Sequence, residues 1–260
     1  PFLRCGTNEL DEPFLDESLR RHLPELLLDR CASCGSLWAL DARVHPDVLM
    51  DAYRRMRSDY FEPQTSARYR NLYLRIEGLA KKHVSGKKVL DLGCGDGTFL
   101  STISRDWQKQ GLEPSRSGTE LAREKQIDVT CGTLEMSPRN FDVDLLAVLD
   151  VIEHVVDPHA FVESLKNQLR ARGVVLILTG DPDSVVARIA GNQWSYLRWC
   201  GHVSVLSRRA LTRLLQEHGF EVVDWQRCEH PSTPGPLAWL RVHLLEPARR
   251  LLGRKKSWYP

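Results

Sequence analysis

The stretch Val89-Leu90-Asp91-Leu92-Gly93-Cys94-Gly95-Asp96-Gly97-Thr98-Phe99-Leu100 decides the fold. Residues 88–92 read as a strand that runs into three glycines at alternate positions, and residues 99–107 suit a helix. Glycine at such a turn permits positive φ and lets a ligand approach the backbone where a Cβ would stand. The helix after it offers unpaired N–H groups and the positive end of its dipole. In open α/β sheets the ligand crevice lies at the carboxyl ends of the strands, and this turn lies at such an end.

Working outward, short apolar runs alternate with amphipathic segments, the signature of a doubly wound, mostly parallel sheet. Strands are expected at 110–113, 127–129, 141–150, 173–179 and 220–225, and helices at 117–126, 158–171 and 208–218. Residues 173–179 (GVVLILT) are apolar without alternation, as a strand buried on both faces should be. Ser207 stands where an N-cap belongs and Gly219 where a C-cap belongs. Upstream, 45–82 is a polar helical stretch with Tyr53, Met56, Tyr60, Tyr69, Leu72, Leu74 and Ile76 as candidate buried positions. Three regions follow: a small N-terminal unit over 1–45, the α/β domain with a helical lid over 46–230, and a proline linker with an amphipathic helix over 231–260.

Composition narrows the function. The 260 residues are 42% hydrophobic and 27% charged, which excludes a disordered or low-complexity chain. With 36 Lys+Arg against 34 Asp+Glu there is no basic excess to support nucleic-acid binding. No apolar run reaches the length of a membrane span. The C-terminal helix with its basic GRKK tail could touch an anionic membrane surface, although docking on its own protein is the commoner fate of such helices. Seven cysteines without framework spacing speak against a secreted disulfide scaffold. Cys94, Cys131, Cys200 and Cys228 read as buried free thiols, and a cytoplasmic location is expected.

Two ligands compete for the glycine turn. Dinucleotide sites use G-x-G-x-x-G to cradle a pyrophosphate. Here the spacing is G-x-G-x-G, and Asp91 precedes the first glycine by two. A carboxylate beside a pyrophosphate is repelled, whereas beside a cation it is favourable. S-adenosylmethionine carries a sulfonium and an ammonium, so Asp91 favours it over NAD. Glu113, ending the second strand, can accept both ribose hydroxyls of either ligand.

With VLDLGCGDGTFL, then GLEPS, then LLAVLDVIEHVVDP, residues 53–225 resemble the class I S-adenosylmethionine-dependent methyltransferases. The subgroup they resemble contains the ubiquinone-biosynthesis O-methyltransferases and methyltransferases of natural products and sugars. The resemblance implies a Rossmann-like fold. It also implies that Asp91, Gly93, Cys94, Gly95 and Gly97 line the methionine and ribose portions, that Glu113 binds the ribose, and that Pro114 and Ser115 flank the adenine. Thr133 and Leu134 would sit at the adenine edge, Asp150 and Val151 near the transferred methyl, and Tyr60 over the cofactor. The usual final antiparallel strand is not evident after Trp225.

Methyl transfer to a hydroxyl benefits from a general base, and histidine suits neutral pH. His154 follows the fourth strand and His202 precedes the last helix, so both are candidates. The aromatic segment 191–200 follows the fifth strand, and Trp194, Tyr196 and Trp199 could wall an acceptor pocket. A small-molecule hydroxyl is the expected acceptor. Carbon or nitrogen acceptors, a non-catalytic cofactor-binding module and an NAD-dependent oxidoreductase are the alternatives. Oligomeric state is not legible.

Cys31-Ala32-Ser33-Cys34-Gly35 has the form of a zinc knuckle, but a structural zinc needs four ligands. Cys5 is the only cysteine upstream, and His22 could complete the set. Some methyltransferases acting on nucleotide-linked deoxysugars carry a unit with two such pairs, and residues 1–45 resemble one with a ligand lost. The alternative is a degenerate unit held by packing. A redox pair lacks the surrounding βαβ pattern.

Overall fold

The computed structural model describes residues 3–4, 27–39, 46–65, 67–136, 140–191, 194–198 and 201–228. Two sheets form among them. In the first, β1 (Leu3–Arg4), β2 (Leu27–Arg30) and β3 (Leu37–Ala39) pair antiparallel, and β3 takes as its other neighbour a strand from late in the chain, Ser204–Val205. The second sheet has five strands, β4 (Lys88–Leu92), β5 (Gln108–Glu113), β6 (Asp128–Cys131), β7 (Val143–Leu149) and β8 (Leu169–Leu178), which makes Ser204–Val205 β9. Its order is β6-β5-β4-β7-β8, and every ladder is parallel. The chain leaves β4 toward β6 on one side and returns to β7 on the other. The switch point therefore lies between the carboxyl ends of β4 and β7, where a crevice opens.

The helices are α1 (Pro46–Arg54), α2 (Ala67–Ala80), α3 (Thr98–Thr102), α4 (Arg116–Glu124), α5 (Pro158–Lys166), α6 (Val185–Ala190) and α7 (Arg208–Glu217). Alternate residues of the central strands feed two cores. Val89, Leu145 and Ala147 face Leu72, Tyr73 and Ile76 of α2, together with Phe99 and Ala122. Leu90, Leu92, Leu146 and Val148 face Phe161, Val162 and Leu165 of α5 and Leu211 and Leu214 of α7. Full burial of each such side chain is worth about 1.5–3 kcal/mol. Four helices start as sequence chemistry dictates: Ser115, Asp157, Ser184 and Ser207 each accept an N–H from the first turn. Gly219, at φ 80°, ends α7.

The structure differs from the sequence reading in several places. Residues 220–225 form no strand. Val223 and Trp225 are exposed, and the Arg208 guanidinium lies 5.1 Å over the Trp225 ring. Among the described residues nothing pairs with the outer edge of β8, so its residues 173–178 are half-buried rather than enclosed, although both faces carry apolar contacts. Leu74 is exposed because the core stripe of α2 runs through Leu72, Tyr73, Ile76 and Ala80. Cys94 is buried as expected, whereas Cys131 ends the edge strand β6 and is exposed, as is Cys228. Helix α5 stops at Lys166, and β8 begins at Leu169.

Residues Pro1–Trp225 group into one compact unit and Gln226–Pro260 into another. Strand β9 continues the N-terminal sheet, so residues 27–39 share that sheet with the region just before α7. The helix expected at 237–252 lies outside the described residues. No helix among the described residues is long and apolar enough to cross a membrane.

Candidate functional site

At the end of β4 the chain turns through Gly93, Gly95 and Gly97, at φ 69°, 54° and 74°. These are left-handed conformations that cost an L side chain about 1–2 kcal/mol each. The turn is held against β5: the N–H groups of Gly93 and Cys94 both donate to the Leu112 carbonyl, at 2.8 and 3.2 Å. Cys94 packs where a side chain at Gly111 would stand, its Sγ 2.6 Å from the position of a Cβ there. Gly93 is exposed at the mouth, and a Cβ on it would meet Val151 Cγ2 at 2.8 Å. The ends of β4 and β7 thus form the two lips of the crevice.

Three carboxyls underlie this turn, and they are treated differently. Asp96 accepts the Thr98 N–H at 3.0 Å and its hydroxyl at 2.6 Å, and is ion-paired with Lys125. Glu113 is buried and accepts one backbone N–H on each oxygen, from Ser115 and from Gly95, both at 2.8 Å. Burial pushes Glu113 up to about 7 despite those hydrogen bonds. Asp91 is 2% exposed, and among the described residues its Oδ1 has no hydrogen-bond partner. Burial, then Glu113 and Asp96, hold its carboxyl well above the usual range. A buried polar atom without a partner is costly and calls for a donor. An ammonium group supplies one, whereas a pyrophosphate would add negative charge beside two acids that no cation among the described residues pairs with. The donor set therefore fits S-adenosylmethionine.

Around the turn, the remaining cofactor candidates gather as expected from their strand ends. Pro114 and Ser115 follow β5, with Ser115 capping α4. Thr133 and Leu134 follow β6 and are half-buried, Leu134 packing against the α5 side of the core. Tyr60 is half-buried, edge-on to Phe61 at 5.1 Å, in a small cluster with Ala52, Met56 and Leu121. The lid is tied down here: the Ser117 hydroxyl donates to the Met56 carbonyl, and so does that of Ser115 at 3.4 Å.

At the carboxyl end of β7, Asp150 adopts φ 53° and donates its N–H to Leu178 at 2.9 Å. A short 3₁₀ turn, Ile152–His154, then brings Glu153 and His154 beneath the crevice. His154 Nδ1 lies 2.9 Å from the Gly201 carbonyl and 2.7 Å from the Tyr53 hydroxyl. Since a carbonyl only accepts, Nδ1 carries the hydrogen in the neutral ring and Nε2 keeps its lone pair. Burial pushes His154 down to about 4, against the opposing effects of the Gly201 carbonyl and the Asp150 charge. His202 is packed 4.7 Å from it, ring to ring, with Nδ1 2.5 Å from the Tyr196 carbonyl.

Tyr196 organises the floor. Its hydroxyl donates to Glu153 and accepts the Gly180 N–H at 2.8 Å, while Thr179 donates to the other Glu153 oxygen at 3.0 Å. Burial, reinforced by Asp150, raises Glu153 to about 8. Glu153, His154 and His202 bring one ligand atom each within 4.8 Å of one another. Both Glu153 oxygens, however, already hold hydroxyl donors, and each histidine Nδ1 faces a carbonyl.

Some expected residues go elsewhere. Trp194 is 7% exposed, stacked on Tyr196 at 5.0 Å and packed with Leu28, Leu37 and Val205, so it fills the core under the small sheet rather than an open wall. Trp199, Cys5 and His22 lie outside the described residues. Cys31 and Cys34 are free thiols on a tight turn that Gly35 closes at φ 79°. Backbone N–H groups of Cys34 and Ser33 lower the Cys31 thiol. Among the described residues no third metal ligand joins them. The turn is instead locked to α7: Ser207 Oγ donates to the Cys34 carbonyl at 2.5 Å, and Ser36 Oγ accepts the Ser207 N–H at 3.0 Å. Tyr53, Thr179 and Lys125 carried no motif, and Asp96 had no role assigned within the glycine turn. Their roles depend on contacts between residues far apart in the chain.

Residues 61–224 match the family profile described as a methyltransferase domain. A ubiquinone biosynthesis O-methyltransferase from Bradyrhizobium diazoefficiens is 30% identical over 125 residues, covering 45% of this chain and 49% of that protein. One from Dinoroseobacter shibae is 29% identical over 209 residues, covering 74% and 80%. The chain thus spans about half the length of the first of these relatives and most of the second. A solved S-adenosylmethionine-dependent methyltransferase from Thermotoga maritima shares the fold, with a TM-score of 0.57 at 22% identity over 71% of this chain and 87% of that one.

Proposed function

The chain belongs to the methyltransferase-domain family, the class I S-adenosylmethionine-dependent methyltransferases, and on that premise we propose that it methylates a hydroxyl of a small molecule. The observation that carries the cofactor half is Asp91: a buried carboxyl with a partnerless oxygen, set beside a glycine turn open at Gly93. S-adenosylmethionine supplies, when bound, a methyl group on a positively charged sulfur. Asp91 would hold its ammonium, Glu113 its ribose hydroxyls, and the lid at Tyr60 would cover it.

The acceptor half rests on His154. With its Nδ1 hydrogen held by Gly201, its Nε2 lone pair is available to take the acceptor's hydroxyl proton. Burial keeps the ring neutral at physiological pH, and the Asp150 charge favours the proton once it arrives. His202 stands ring to ring with it as a second polar contact for the acceptor. The rest of the task is alignment of the acceptor oxygen behind the methyl carbon, since an in-line displacement gains most from orientation. The relatives' names, O-methyltransferases of ubiquinone biosynthesis, support oxygen as the acceptor atom.

The test is turnover with methyl-labelled S-adenosylmethionine and a panel of hydroxylated acceptors. Replacing the base, His154→Ala, should lower kcat by ~10²–10⁴ while leaving S-adenosylhomocysteine affinity intact. Near-normal turnover in that variant would return His154 to a structural role.

A further inference from the structure

We propose that Tyr53 is a positioning residue for His154, and that the lid turn carrying it ties the alignment of that histidine to the cofactor loop. Tyr53 sits near the end of α1, far in sequence from the crevice it reaches. Its ring stands edge-on to His154, 5.4 Å between centroids at 71°, and its hydroxyl is 2.7 Å from Nδ1. The same Nδ1 faces the Gly201 carbonyl at 2.9 Å, so one N–H is shared between two oxygens. Gly201 is itself fixed, its carbonyl accepting the Val203 N–H at 3.0 Å. Two acceptors on Nδ1 keep the lone pair on Nε2. When Nε2 takes a proton, both oxygens face a cationic N–H, and such bonds are about twice as strong as neutral ones.

The lid side is equally specific. Tyr53 packs against Leu49 and Val203 on one side and the Met56–Phe61 cluster on the other. The Met56 N–H donates to the Tyr53 carbonyl at 3.1 Å, and the Met56 carbonyl accepts the Ser117 and Ser115 hydroxyls. Ser115 in turn donates its N–H to Glu113 at 2.8 Å. Each link joins the ribose-binding carboxylate a step nearer to the histidine.

The inference rests on the reading of His154 as the base, but its test does not use turnover. The full chain, labelled with ¹⁵N, is observed by NMR with and without S-adenosylhomocysteine. In the unmodified protein the His154 ring should show a protonated Nδ1 and a bare Nε2, with a cross-peak from the Nδ1 proton to the Tyr53 ring. In Tyr53→Phe that proton should move upfield and exchange with water about tenfold faster, the effect of one lost hydrogen bond. S-adenosylhomocysteine should slow the exchange in the unmodified protein and not in Ser117→Ala. An Nε2-protonated ring, a missing cross-peak, or an unchanged Tyr53→Phe spectrum overturns the proposal. If Tyr53→Phe fails to fold, judged by lost S-adenosylhomocysteine binding, the tautomer and cross-peak of the unmodified protein decide. Near-normal turnover in His154→Ala would remove the base while leaving this contact standing.

Discussion

Cofactor affinity should depend on pH through Glu113, and the dependence can be isolated with adenosine, which carries the ribose without the ammonium. Burial raises the Glu113 carboxyl from 4.5 to about 7 in the free protein. The ionised form has four acceptor positions. Two are taken by the N–H groups of Gly95 and Ser115, leaving room for two ribose hydroxyls. Protonation removes an acceptor and turns one oxygen into a donor. Adenosine should therefore bind the ionised form, with affinity rising about tenfold from pH 6 to pH 8 and flattening above. Titration calorimetry at pH 7 in buffers of different ionisation enthalpy should show roughly half a proton released on binding. The sign for the free fold is opposite. A carboxyl raised above its unfolded value holds more protons folded than unfolded, so its contribution to stability falls as pH climbs from 4.5 to about 7, by about 3 kcal/mol. Glu113→Gln should abolish the adenosine slope and weaken binding at pH 8 by about 1–3 kcal/mol. A flat adenosine profile in the unmodified protein would refute the ribose role, and a slope that survives Glu113→Gln would refute it and assign the titration to another group.

Three further outcomes follow from the geometry. Gly93→Ala meets both a left-handed φ and Val151 at 2.8 Å, so thermal unfolding should show about 1–3 kcal/mol of destabilisation, with S-adenosylhomocysteine binding weakened alongside. Tyr196→Phe strips the half-buried Gly180 N–H and the buried Glu153 carboxyl of a shared partner, and denaturant unfolding should register a loss of about 1–3 kcal/mol. Ser207→Ala removes the cap of α7 together with the bond to Cys34, which should cost about 1–2 kcal/mol and speed amide exchange in β3 more than in β4.

The parallel sheet was legible because its signals are local. The apolar run 88–92, the glycines after it, and the serine caps each act within a few residues, and β4, the turn and α7 stand where those signals put them. The glycine turn, Glu113, Pro114, Ser115, Thr133, Leu134, Asp150 and Val151 stand at strand ends for the same local reason, whereas Tyr60 lies on the lid segment Ser58–Thr65. What stayed hidden depends on tertiary contact. Nothing in the sequence pairs Leu37 with Val205, yet that ladder makes the cysteine turn part of the wall around α7. Trp194 read as a pocket wall by composition, but the small sheet offers it a core to fill. Residues 220–225 are rich in aromatic and β-branched residues, yet without a partner ladder that composition alone does not make a strand. Tyr53 looked like any half-buried lid residue until the position of His154 was known.

The most direct measurement is competitive calorimetry of the full chain with S-adenosylmethionine and with NAD, repeated on Asp91→Ala. One site for S-adenosylmethionine, no competition from NAD, and a loss of about 1–3 kcal/mol on removing Asp91 are the predicted results. Tighter binding of NAD, or S-adenosylmethionine affinity indifferent to Asp91, would contradict them.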